Sequence, residues 1–156
     1  VAIIGGGDGG VARECLENST NYIDWYELDL EIVESCYRHL PKVCSKVKKS
    51  NRVNTYWGDA FESIKSIEDS KYDKIFVDLN DDQYCIDLAR KNMKGLKRIL
   101  KAGGVITAQV GSKDKKPKQV ENWCKVLNKS FGNVKVSGVH IPSFDCNWNF
   151  ASSIMK

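Results

Sequence analysis

An apolar run, Val1-Ala2-Ile3-Ile4, breaks into Gly5-Gly6-Gly7-Asp8-Gly9-Gly10 and then into a helical stretch over residues 11–17. A strand that turns through glycines straight into a helix opens a β-α unit, and such units build parallel sheets with crossover helices. The rest of the chain repeats that alternation. Tyr22–Glu27, Arg52–Trp57, Tyr72–Leu79 and Val105–Val110 read as further strands. Between them, Ile32, Val33, Cys36, Tyr37 and Leu40 share a helix face closed by Pro41, and Phe61, Ile64 and Ile67 mark a short helix. Ala89, Met93, Leu96, Ile99 and Leu100 trace a longer helix stopped by Gly103-Gly104, and Val120, Trp123, Cys124 and Leu127 trace another.

The last two strands, Val134–His140 and Trp148–Met155, leave no room for a crossover helix and should pair antiparallel. The expected fold is therefore α/β: a doubly wound, mostly parallel sheet of the methyltransferase-like Rossmann type, ending in an antiparallel hairpin. The length, 156 residues, suits a single nucleoside-binding catalytic domain spanning 1–156. The chain begins without Met and already inside a strand, which reads as a domain separated from an upstream segment.

Composition excludes other classes. No apolar run approaches the roughly 20 residues that cross a bilayer, and no basic and apolar leader opens the chain. Six scattered cysteines without a C-x-x-C pair, and only His39 and His140 as histidines, read as reduced packing residues of a cytoplasmic protein. His39 is expected at a helix end, and His140 as a structural residue rather than a ligand. The formal net charge of +4 is uneven: residues 84–118 hold ten Lys/Arg against Asp87 and Asp114. That block lacks interleaved aromatics and reads as a solvated helix face plus an exposed loop, with no nucleic acid as partner.

The chemistry gathers at strand ends, where open α/β sheets bind ligands. Gly5 and Gly6 let the backbone approach a ligand closely. Glu27 closes the second strand 20 residues after Gly7, the offset at which a carboxylate accepts from ribose hydroxyls. Asp8 stands where a dinucleotide's pyrophosphate would need bare N–H donors, so it suits a cation, or simply caps the helix. Asp59, after Gly58, fits an adenine amino group or a helix N-cap equally well. Asp78, Asp81 and Asp82 crowd the end of the fourth strand, a costly arrangement without a cation to compensate it. A divalent metal or an aminoalkyl substrate would serve, and the amine accounts better for Asp8.

These segments resemble the spermidine/spermine synthase family, the aminopropyltransferases. The resemblance runs through Ile3–Glu14 (IIGGGDGGVARE), Tyr26–Asp29 (YELD), Trp57–Phe61 (WGDAF), Phe76–Asp82 (FVDLNDD), Leu100–Ser112 and His140–Ser153. It implies aminopropyl transfer from decarboxylated S-adenosylmethionine, a co-substrate rather than a cofactor, to putrescine or a longer polyamine, releasing methylthioadenosine. It implies no metal. By similarity Gly5, Gly6, Glu27 and Asp29 hold the donor's nucleoside side, Asp59 and Ala60 its adenine, and Asp8 with Asp78 its terminal ammonium. Asp78 matches the catalytic acid; Asp81, Gln109 and Phe144 match acceptor-side positions.

Some positions depart from the family. No proline follows Asp81, the stretch between Asp82 and the next helix is short for a lid, and Phe144 stands where spermidine synthases tend to carry Tyr. Members also carry an N-terminal β-rich segment that completes the amine pocket and joins copies into a homo-oligomer. The competing expectations are a methyltransferase using intact S-adenosylmethionine and a catalytically weak regulatory or scaffold subunit of a polyamine synthase.

Overall fold

The computed structural model describes all 156 residues. The chain runs β1 (Ala2–Gly5), α1 (Gly10–Glu17), β2 (Ile23–Glu27), α2 (Leu30–His39), α3 (Pro41–Lys49), β3 (Val53–Trp57), α4 (Ala60–Ile64) and β4 (Tyr72–Asp78). It continues through α5 (Gln83–Ile99), β5 (Leu100–Gly111), α6 (Pro117–Phe131), β6 (Lys135–Ile141), a 3-10 turn at Pro142–Phe144, and β7 (Cys146–Ile154).

Seven strands form one sheet in the order β3-β2-β1-β4-β5-β7-β6. β1 to β5 are mutually parallel, and β7 runs antiparallel to both of its neighbours, β5 and β6. The expected hairpin is present, with its second strand slotted inside its first. The strand order reverses between β1 and β4, so a crevice opens at their carboxyl ends. Register brings those ends level: Gly5 lies opposite Asp78, and Glu27 opposite Trp57.

Side-chain alternation splits the core between the two faces. Ala2 and Ile4 of β1 join Ile75, Val77, Ile106 and Ala108 beneath α5 and α6, while Ile3 faces Ile23, Trp25 and the helices α1 to α3. The first cluster has 23 buried residues and the second 8, so most apolar burial anchors β4, β5 and their helices.

Two details differ from the sequence reading. Pro41 does not merely close a helix; it opens a second one, α3, at a first-turn position where its missing N–H costs nothing. Gly103-Gly104 does not stop α5. That helix passes into β5 at Leu100, and the glycines lie within the strand, where the pairing with β4 slips between Tyr72 and Lys74. A Cβ on Gly104 would come within 2.7 Å of Leu100 Cδ1 and 3.0 Å of the Asp73 carbonyl oxygen, so the slip needs glycine.

At the opposite end of the sheet from the crevice, the fully buried Asp24 of β2 accepts from the Tyr72 hydroxyl (2.6 Å) and the Asn54 amide (3.1 Å). Lys71 Nζ lies 3.0 Å away, and the Tyr26 and Tyr72 hydroxyls share a hydrogen bond of 2.8 Å. The carboxylate is thereby fully satisfied, the condition for burying it.

Candidate active site at the strand ends

The glycine turn after β1 closes directly onto the end of β4. Gly6 N–H donates to the Asp78 carbonyl at 2.9 Å. Gly5 and Gly6 both have φ near +75°, at 80° and 73°. A Cβ at Gly6 would stand 2.8 Å from Asp78 Oδ2, so the absence of side chains there is what admits the carboxylate. The indole of the buried Trp25 donates to the Gly5 carbonyl at 2.7 Å and fixes the turn from the α1–α3 side of the sheet.

Glu27 reaches the same turn from β2. Its side chain is buried, one oxygen accepts from Asp29 N–H at 3.0 Å, and the other lies 3.5 Å from where a Gly7 Cβ would stand. Asp8 is exposed at the turn's outer edge, accepting from Gly10 N–H at 2.8 Å, while its carbonyl accepts from the Cys44 thiol at 2.8 Å. The N-cap of α1 is Gly9, so Asp8 stands one residue outside the cap position.

The Asp78 carboxyl senses the other two acids. Burial, and then the nearby charges of Asp8 and Glu27, push the Asp78 carboxyl up to about 6. A carboxylate held near neutrality in a strand-end crevice can bind a cation or exchange a proton at physiological pH.

Asp29 and Asp59 are the N-caps of α2 and α4. Asp29 accepts from Glu31 and Ile32 N–H (2.9 and 3.2 Å), and Asp59 from Phe61 N–H (2.8 Å). Each is exposed and keeps its second oxygen free for a ligand beside the mouth. Ala60 follows as the first residue of α4, and Gly58 N–H donates to the Glu27 carbonyl at 3.0 Å, which brings the β3 end against the β2 end.

Asp81 lies in the connection between β4 and α5 and faces α6. It accepts from Gln119 Nε2 at 3.1 Å and has Lys116 Nζ at 3.4 Å. Burial would raise its carboxyl, but these two donors outweigh that and hold it below its ordinary value. Asp82 caps α5 through Cys85 N–H at 2.8 Å, so the chain enters the helix at once and no long segment arches over the crevice.

Gln109, on β5, is wholly engaged within the protein. Its Nε2 donates to the Leu79 carbonyl, and its Oε1 accepts from Trp148 Nε1 at 2.6 Å. Trp148 in turn packs on Phe144, with ring centroids 4.7 Å apart. Phe144 is half-exposed on the 3-10 turn, and its carbonyl accepts from Lys115 Nζ at 2.6 Å.

Sequence reasoning singled out Asp8, Glu27, Asp78 and Asp81, placed Trp148 only at the start of the last strand, read Lys115 and Lys116 as part of an exposed loop, and passed over Gln119. An indole two residues before Phe150 in a strand was the one available signal for Trp148. Both histidines are exposed, His39 in the last turn of α2 and His140 on the edge strand β6. The six cysteines are all free thiols. Burial raises Cys15, Cys36, Cys44, Cys85 and Cys124, which suits packing rather than nucleophilic work. No group of three or more His, Cys, Asp or Glu side chains is arranged to hold a metal ion, and no helix is long and apolar enough to cross a membrane.

Known proteins resemble the chain along nearly its whole length. The family model for the spermine/spermidine synthase domain matches residues 1–156. A polyamine aminopropyltransferase of Prochlorococcus marinus (strain NATL2A) is 34% identical over 162 positions, covering 97% of this chain and 55% of its own length. One from Korarchaeum cryptofilum (strain OPF8) is 27% identical over 153 positions, covering 97% of this chain and 47% of its own. The chain thus spans about half the length of the curated relatives it matches. Among solved structures, spermidine synthase from Thermotoga maritima superposes with a TM-score of 0.87 at 20% identity, over 99% of this chain and 53% of its own. A spermidine synthase in complex with the transition state analogue AdoDATO gives 0.85 at 19% identity, over 99% of this chain and 52% of its own. The family model's match along the whole chain places it: the chain belongs to the spermine/spermidine synthase family.

Proposed function

We propose that the protein carrying this chain transfers an aminopropyl group from decarboxylated S-adenosylmethionine to a diamine, putrescine in the first instance, and releases methylthioadenosine. The observation that carries this reading is Asp78, pressed onto the glycine turn between Asp8 and Glu27 and raised to about 6. Three carboxylates that repel one another are stabilised by a ligand bringing positive charge, and the donor brings both a sulfonium and an ammonium.

In this reading Glu27 and Asp29 take the ribose hydroxyls, and Gly5 and Gly6 let the nucleoside lie against the turn. Asp59 and Ala60 border the adenine, and Asp8 with Asp78 holds the aminopropyl ammonium. An acceptor amine has an ordinary pKa near 10 and arrives protonated, without a lone pair to attack. Asp78 accepts that proton as the nitrogen closes on the carbon beside sulfur. The new C–N bond forms, the C–S bond breaks, and its electron pair returns to sulfur, leaving a neutral thioether. The protein's task is alignment and proton transfer, which the acids supply without a resident cofactor. Asp81, held by Gln119 and Lys116, marks the acceptor side, with Phe144 beside it. Copies associate through a β-rich segment upstream of these residues.

A methyltransferase would use the same sheet but must accept a donor with its own carboxylate. Beside Asp8 and Asp78 that charge costs about 1–3 kcal/mol, or roughly 5- to 150-fold in affinity. Calorimetric titration of the full protein with both donors tests this. Tighter binding of the decarboxylated donor by about tenfold or more is expected; preference for intact S-adenosylmethionine would overturn the reading. Mass spectrometry of the amine product, an acceptor heavier by one aminopropyl group, tests the transfer itself.

A further inference from the structure

A cavity lies away from the strand ends. It is a groove of about 480 Å³ between α5 and α6, lined by Arg90, Lys91, Lys94 and Lys97 from one helix and Lys125 and Lys129 from the other. No carboxylate lines it. The nearest acids reach only its rims, where Asp87 pairs with Arg90 and Glu121 pairs with Lys125 at 2.7 Å. Lys97 Nζ donates to the Ser130 carbonyl at 2.9 Å across the groove. Lys91, Lys94 and Lys129 pair with no carboxylate.

The helix dipole explains cations in a last turn, and so accounts for Lys97 and Lys129. It does not account for Arg90, Lys91, Lys94 and Lys125, which lie before it. Nor is the arrangement a single convex face, since the two helices bring their cations to opposite walls of one concavity. Like charges so gathered repel, and the face becomes favourable when an anion enters.

The spacing selects the kind of anion. Along α5 the cations recur at positions 90/91, 94 and 97, and along α6 at 125 and 129. That is one charge about every 5–6 Å on each wall, given the helical rise. A compact anion would meet only two or three of them; a ligand with negative charge repeated along its length would meet all. No aromatic side chain lines the groove, so bases have nothing to stack on and recognition falls to the backbone. The walls are two packed neighbouring helices, and axes about 8–10 Å apart leave width for one strand rather than a duplex.

We propose that the α5–α6 groove binds the phosphodiester backbone of single-stranded nucleic acid, without sequence preference, on a surface separate from the strand-end site. The test is fluorescence anisotropy of a labelled 16-nucleotide single strand titrated with the full protein between 50 and 200 mM salt. Neutralising three or four phosphates predicts a slope of log K against log[salt] of about −2 to −3, hence a loss of about 20- to 60-fold over that range. Lys91→Glu, Lys94→Glu and Lys129→Glu together should reduce affinity at least tenfold. The same reversals at Lys113, Lys115 and Lys118 should have less than a threefold effect. Lysine acetylation of the unaltered protein, read by mass spectrometry, should show Lys91, Lys94 and Lys129 protected by the strand. This keeps the proposal testable if the triple variant does not fold. Absence of binding at 50 mM salt, indifference to the groove reversals, protection confined to the 113–118 loop, or displacement by tripolyphosphate at equal total charge would each overturn it.

Discussion

Asp78 concentrates the physics of the site in one carboxyl. Its displacement to about 6 comes from burial first and from Asp8 and Glu27 second. With Asp78 as the proposed proton acceptor, this group should set the acid limb of the pH dependence in the unliganded protein, because only the ionised form can receive a proton. We expect kcat/KM to fall below pH 6, and Asp8→Asn or Glu27→Gln to move that limb to lower pH by removing a repelling charge. An unmoved limb in both variants would assign the titration to another group. Asp78→Asn should reduce kcat by about 100-fold or more, the usual range for losing a positioned acid–base group. The same substitution should stabilise the fold. A carboxyl raised above its unfolded value of 3.8 binds more protons when folded, so its contribution turns unfavourable as pH rises from about 4 to 6. Urea unfolding at pH 7 should therefore show Asp78→Asn more stable by about 1–3 kcal/mol, with the advantage gone near pH 4.

At the scale of elements, β4, β5 and β7 are joined at their site ends through one side chain. Gln109 bonds the Leu79 carbonyl on one side and Trp148 Nε1 on the other, and so holds the segment between Asp78 and Asp81. Trp148→Phe keeps a ring against Phe144 but orphans Gln109 Oε1. We expect a loss of about 1–2 kcal/mol in unfolding free energy, and a fall in activity larger than that loss can explain at a temperature where the variant remains folded. The bridge was not legible in the sequence, because its members stand 30 and 39 positions apart and nothing local links them. The strand ends were legible: β1, β2 and β4 are apolar runs that stop on acids or glycine, and a parallel sheet puts such stops side by side. α3 was missed because Val43, Cys44 and Val47 are diluted by four lysines, and packing of Cys44 and Val47, rather than pattern, defines it. Gly103-Gly104 misled for a physical reason too. Two glycines after a helical run signal a cap, yet here they admit a shift of register that only the neighbouring strand can demand.

For the whole molecule, Asp24 and Asp78, at opposite ends of the sheet, are carboxylates of opposite thermodynamic sign. Asp24 is buried, which alone would raise it. Hydrogen bonds from Tyr72, Asn54 and Lys71 outweigh that and hold it below its ordinary value of 3.8. A depressed carboxyl contributes stability that is present above its unfolded pKa and is lost as pH falls through its folded one. Asp73 and Asp81, each beside a lysine, act in the same direction. Asp78 acts in the other, lowering stability from about pH 4 up to 6. Where these windows meet lies the pH of greatest stability, so chemical denaturation should give a maximum near pH 4, with a decline up to about pH 6 and a steeper one below the maximum. Asp24→Asn should cost about 2–3 kcal/mol at pH 7, since Tyr72 and Lys71 lose a charged acceptor, and should flatten the acid decline. Asp78→Asn should flatten the neutral decline and leave the acid one in place. Should either substitution alter the opposite limb, Asp24 and Asp78 are coupled through the sheet and the independence of the two carboxyls fails.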